Sequence, residues 1–144
     1  MPSADAISLR IQPGAPPRVQ YGVQRLLAAL NAVGETVALT DQLAGSKRQM
    51  FVGVQRQPIP AHAQELKPEG FAISCERGQV AAVLGHDESG AMYGCLELAG
   101  RIVASGKLPD DLRVVDAPQF VLRGPAIGMQ KTFILPGRKV YEYP

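Results

Sequence analysis

At 144 residues, with 46% hydrophobic and 19% charged positions, the chain has the size of one domain and enough apolar side chains for a core. Its net charge of +2 comes from scattered basic residues, grouped no more densely than in an adjacent pair such as Lys47-Arg48, so it lacks the concentrated basic face that nucleic-acid binding needs. No apolar run approaches the ~20 residues that span a bilayer, and two cysteines, Cys75 and Cys95, cannot make a disulfide framework.

The first residues, Met1 to Asp5, hold neither the positive nor the apolar region of a signal peptide, which leaves the location open. Ile7, Leu9 and Ile11 then alternate with polar residues, the pattern of a strand with one buried face. From Arg18, apolar residues at Val19, Val23, Leu26, Leu27 and Leu30 form the stripe of an amphipathic helix, with Gly34 where a C-terminal cap belongs. Thr36 to Thr40 reads as a short strand and Met50 to Val54 as a more central one, followed by a proline-containing loop over residues 57–64. Phe71, Ile73 and Cys75 share one face of the next strand, and Val80 to Leu84 returns antiparallel after a turn at Arg77-Gly78.

Asp87 or Ser89 can cap a second helix by accepting from its free backbone N–H groups; Met92, Leu96, Ala99, Ile102 and Val103 keep helical spacing until Gly106. Leu112 to Val115 and Phe120 to Leu122 read as extended. Beyond Gly124, proline and glycine interrupt every period, and the segment reads as a linker or the start of another domain. The order β-α-β-β-β-β-α-β predicts an α+β domain, a mostly antiparallel sheet with two helices packed on one face.

Chemical signals are sparse. Gly85 and Gly90 have phosphate-loop spacing, but Ala91 and Met92 stand where a lysine and a hydroxyl residue should follow, so the glycines belong to a strand-to-helix turn. His62 and His86 are the only histidines, and neither belongs to an H-E-x-x-H pair, so no metal site is predicted. Cys75 and Cys95 sit on apolar faces and read as buried small hydrophobes rather than nucleophiles.

Asp87-Glu88 and Asp110-Asp111 are the only adjacent acidic pairs. Neighbouring side chains in a cap or turn point apart, so neither pair can flank a glycosidic bond, and no catalytic residue is predicted. There is no tryptophan. Phe51, Phe71, Tyr93 and Phe120 are expected in packing, which leaves Tyr21, Phe133, Tyr141 and Tyr143 for stacking on a sugar.

The stretch from Pro68-Glu69-Gly70-Phe71 through the hairpin to Gly90-Ala91-Met92-Tyr93-Gly94 resembles the small α/β domain that precedes the catalytic barrel in β-N-acetylhexosaminidases and α-glucuronidases. The resemblance covers about residues 5–127, and its most specific parts are 69–101 and 118–124. It implies a fold shaped like the zinc-peptidase scaffold, without the metal residues and without a cofactor. It also implies an accessory domain over residues 1–124, with residues 125–144 as a linker or the start of a catalytic barrel that the chain lacks.

In hexosaminidases a Pro-x-Phe-x-x-Arg-Gly segment joins this domain to the barrel, and here it reads Pro118-Gln119-Phe120-Val121-Leu122-Arg123-Gly124. The family's arginine binds hydroxyls of the terminal sugar, so the resemblance assigns substrate binding to Arg123, a residue type with several fixed donors for paired oxygens. Pro125 to Lys131 departs from the hexosaminidase pattern, and the likeness extends equally to the α-glucuronidases. The expected function is a non-catalytic N-terminal domain of a larger glycoside hydrolase. Its partners would be the catalytic barrel of the same polypeptide and the glycan substrate of that parent enzyme, without nucleic acid or membrane. The alternative is a free-standing carbohydrate-binding or protein-interaction module.

Overall fold

The structure, a computed structural model, describes residues 6–41, 47–55, 65–77 and 80–124. Its elements are β1 (Ile7–Ile11), α1 (Pro17–Ala32), β2 (Val37–Leu39), β3 (Arg48–Val54), β4 (Phe71–Glu76), β5 (Val80–Gly85), α2 (Glu88–Ser105) and β6 (Leu112–Asp116). The six strands form one sheet in the order β2-β1-β3-β5-β4-β6. The class is α+β, as the element order predicts.

The strand directions differ from expectation. β1 runs parallel to both β2 and β3, and β3 runs parallel to β5. Only the pairs β4–β5 and β4–β6 are antiparallel, so the sheet is mixed with a parallel majority rather than mostly antiparallel. The cause lies in the connections: a helix between two strands carries the chain back to the end where it began, which makes β1 and β2 parallel. β4 and β5 pair antiparallel, as expected, while Gly78 of the predicted turn lies outside the described residues. Phe120 to Leu122 is not a strand; it forms bends beyond β6.

The core lies between the sheet and the two helices. Leu9, Met50, Val52 and Val83 from the strands and Val19, Leu26, Leu30, Leu98 and Ile102 from the helices are fully buried. Each such side chain contributes roughly 1.5–3 kcal/mol on leaving water. α2 packs on β3, β4 and β5, and α1 packs on α2 and β2. The two helices approach closely at Gly22, where an added Cβ would lie 3.0 Å from the Met92 backbone.

Helix ends follow the sequence. α1 opens with Pro17 at its first turn, where a missing N–H costs nothing. It closes with Gly34 at φ +84, Glu35 N–H bonded to Leu30 O at 3.0 Å and Gly34 N–H to Asn31 O at 3.0 Å, the paired bonds of a Schellman motif. Asp87 caps α2 by accepting from Gly90 N–H at 2.9 Å, while Ser89 is buried and accepts from Arg18 Nη1 at 2.7 Å. Gly106 ends the helix in the left-handed conformation.

Candidate functional site

The described residues concentrate their chemistry where β4, α2 and the segment after β6 meet. Asp87 does more there than cap a helix: its Oδ1 takes Gly90 N–H, and its Oδ2 takes Glu69 N–H at 2.8 Å. Burial alone would push the Asp87 carboxyl up. The N–H groups of Gly90 and Glu69, together with the adjacent His86, outweigh that and hold it below the usual aspartate value.

This carboxylate thus anchors the turn before β4 to the start of α2. The turn comes close enough that His86 N–H reaches Gly70 O at 2.9 Å, and a Cβ on Gly90 would sit 2.0 Å from that same oxygen. Gly85 is equally constrained, since its Cβ would lie 2.0 Å from Ala91 N. The two glycines of the phosphate-like spacing are therefore demanded by backbone packing.

Glu69 is held in an unusual conformation. Its φ is 57°, the sole positive value among the described non-glycine residues, in a region that costs an ordinary side chain on the order of 1 kcal/mol. The result aims its carboxylate at the exit segment: Arg123 Nη2 donates to Glu69 Oε2 at 2.7 Å. The Arg123 guanidinium also lies 5.7 Å from the centre of the Tyr93 ring, on α2.

Glu69, Phe71, Tyr93, Asp116, Pro118 and Arg123 line a cleft of about 440 Å³. That volume falls within the range of small-ligand pockets. Phe71 is 8% exposed and supplies an apolar floor. Asp116 Oδ1 accepts from Ala117 N–H at 2.8 Å, fixing the turn into the exit segment.

Arg123, the one substrate-binding residue that the resemblance assigns, lines this cleft together with Phe71 and Tyr93, which were expected in packing. His86 is exposed beside Asp87, its Nδ1 3.3 Å from Oδ2. His62 lies outside the described residues, as do Phe133, Tyr141 and Tyr143. Among the described residues no three His, Cys, Asp or Glu side chains stand close enough to hold a metal ion, and no helix is long and apolar enough to cross a membrane. Burial pushes the Cys75 thiol up to about 11 and that of Cys95 to about 12, which removes both as nucleophiles near neutral pH.

Asp110 bonds Lys107 at 2.9 Å on the surface, so the Asp110-Asp111 pair is a solvated turn. Phe120 is 71% exposed, against the expectation that it packs, and Val121 and Leu122 are fully or nearly fully exposed. The bends after Asp116 carry all three away from the core. Sequence reasoning missed Glu69 and Tyr93 as partners of Arg123. The Pro68-Glu69-Gly70 turn was the signal for Glu69, but which residue of a turn takes positive φ depends on the neighbour that it must contact.

A second groove, between α1 and α2, is lined by Ala28, Ala32, Leu96, Gly100 and Val103, with Arg25 as its one charged group. It offers shape without chemistry.

No protein-family profile and no curated protein matches the chain. Solved structures do. A GH138 enzyme targeting pectin rhamnogalacturonan II is 33% identical over 96% of this chain and 19% of its own, with a TM-score of 0.69. BtGH115A, a family GH115 4-O-methyl-α-glucuronidase with specificity for decorated arabinogalactans, is 18% identical over 78% of this chain and 17% of its own, with a TM-score of 0.60. CpGH84D is 17% identical over 76% of this chain and 19% of its own, with a TM-score of 0.55. The last two share the fold alone. The chain spans less than a fifth of each of these proteins and is a partial, glycoside-hydrolase-like domain.

Proposed function

We propose that the chain is a non-catalytic accessory domain of a larger glycoside hydrolase, in which it packs against the catalytic barrel of the same polypeptide and presents Arg123 to the glycan. The observation that carries this reading is the match to the GH138 enzyme over 96% of the chain but 19% of that enzyme. An accessory module accounts for both figures.

The site supports it. Glycoside cleavage needs a carboxylic acid to protonate the leaving oxygen and a second carboxylate across the bond. Here Glu69 accepts from Arg123 and Asp116 accepts from the Ala117 backbone, so both serve as acceptors that shape the exit segment. The exposed Phe120-Val121-Leu122 run immediately precedes Arg123, and such an apolar run favours contact with another surface. The parent's specificity, whether of the hexosaminidase or the α-glucuronidase kind, follows from its barrel.

The test is the size and activity of the native protein. An antibody raised against residues 6–124 should detect a band several times the 15.4 kDa of this chain in its own cells. That protein should hydrolyse aryl glycosides, and Arg123→Ala should raise its KM. A native band at 15.4 kDa would overturn the proposal.

A further inference from the structure

We infer that the outer faces of α1 and α2 together form the surface on which the catalytic barrel docks, and that the barrel presents there an apolar ridge with a carboxylate opposite Arg25. The inference rests on the accessory-domain reading and adds to it which face is used and what that face meets.

The face is built from two stripes. On α2, Tyr93, Leu96, Gly100 and Val103 recur at helical spacing, turned away from the buried Cys95, Leu98 and Ile102. On α1, Tyr21, Arg25, Ala28 and Ala32 do the same, turned away from Val23, Leu26 and Leu30. Small residues sink the seam between the helices into a groove of about 500 Å³. Val103 on one side of it is 63% exposed and Tyr21 on the other is 50% exposed. α1, with 16 residues, is about 24 Å long, and two adjoining helices are about 20 Å wide. Counted on both partners, that footprint is about 1,000 Å², inside the roughly 600–1,500 Å² of an interface between domains.

Position, contrast and charge choose the occupant. Arg123 lies 5.7 Å from the centre of the Tyr93 ring, at the first residue of the α2 stripe, so the chain reaches Gly124 at one end of this face. Whatever follows is tethered beside the groove at high effective concentration, and the sequence that follows includes Ile127, Met129 and Phe133-Ile134-Leu135.

The reverse of the sheet is more polar. It carries Arg10, Gln49, Ser74 and the exposed Arg113–Glu76 pair, 3.6 Å apart, among its apolar residues, whereas Arg25 is the one charged group of the groove. Arg25 forms no hydrogen bond or ion pair with another described residue. Water satisfies its guanidinium while the face is open. A surface that covers it must supply an acceptor, and a carboxylate is the one that offsets the buried charge.

The experiment places Gly100→Arg in the 144-residue chain and in the full-length protein, because a Cβ at Gly100 meets nothing within 4 Å. The 144-residue chain should keep its Tm. In the full-length protein the bulk should lift the domain off the barrel, and chymotrypsin should release it about tenfold faster than from the parent. Arg25→Glu should act the same way, harmless in the 144-residue chain and loosening in the full-length protein, while Arg25→Lys, which keeps the charge, should recover most of the protection. Arg113→Glu, on the reverse of the sheet, is the control and should leave the release rate unchanged.

Release no faster for Gly100→Arg than for the parent, or equally fast for Arg113→Glu, would overturn the inference. So would an Arg25→Glu protein as protected as the parent, or a dimer of the 144-residue chain that Gly100→Arg splits, which would give the face to a second copy. Each of these leaves the accessory-domain proposal standing if the full-length protein hydrolyses aryl glycosides. A native mass of 15.4 kDa would remove both.

Discussion

Replacing Asp87 by alanine tests whether one carboxylate organises the whole site. The change removes a helix cap, worth about 1 kcal/mol. It also leaves Glu69 N–H without its acceptor, a loss of roughly 1–3 kcal/mol when the donor is sealed from water. Because the Asp87 side chain is 38% exposed, water can replace part of that second bond, and the low end applies. The sum is about 2 kcal/mol, a substantial share of the roughly 5–15 kcal/mol typical of a domain, and roughly an 8 °C fall in Tm.

Urea denaturation of the 144-residue chain, followed by circular dichroism, reads this directly. Asp110→Ala is the control, since its ion pair with Lys107 is surface-exposed and worth little. A loss below about 0.5 kcal/mol for Asp87→Ala would refute the reasoning, because it would mean that the Glu69 turn holds its left-handed conformation without the carboxylate.

Two further outcomes follow from the same geometry. Gly90→Ala should cost about 1–3 kcal/mol, since its Cβ would collide with backbone at Gly70, while Gly100→Ala, with nothing within 4 Å, should stabilise α2 by about 0.5–1 kcal/mol; equal effects in urea melts would contradict this. Acid should weaken the fold through Asp87 and Glu35, whose carboxyl the Arg48 guanidinium holds below its ordinary value. Both are lowered in the native state, so their stabilisation is full above the unfolded values near about 4 and is lost as pH falls through the native ones; the Tm gap between the parent and Asp87→Ala should therefore close below about pH 4.

Much of the fold was legible because local chemistry and tertiary structure agree. The alternation of Ile7, Leu9 and Ile11 faces the core as read, and the helical stripe of α1 buries Val19, Val23, Leu26 and Leu30. Asp87 and Gly106 cap α2 as their side-chain and backbone chemistry favours. Strand direction was less legible, because an alternating pattern states which face is buried and not which neighbour a strand takes. The β1-α1-β2 order did contain the rule for a parallel pair, whereas β3–β5 pairing joins strands distant in sequence that no local signal connects.

The candidate site was half legible. Arg123 stood out through its surrounding segment, but Glu69 and Tyr93 reach it across separations that only folding closes. Phe120 misled because aromatic residues are buried on average, and nothing in its neighbours announced that the chain would bend away from the sheet after Asp116.

The Arg123–Glu69 contact also defines how force would enter the domain. β6 is an edge strand, hydrogen-bonded on one side to β4, and its last residue, Asp116, stands opposite Phe71 at the start of β4. A pull on the chain beyond Gly124 would, without the contact, peel β6 from its end one bond at a time. With it, tension reaches Glu69 first and passes through the Asp87 carboxylate into α2 and through the turn into β4, which has neighbours on both sides. This edge strand is thereby taken out of the load path, and movement of whatever follows Gly124 is transmitted to the interior of the sheet rather than lost in unravelling its edge.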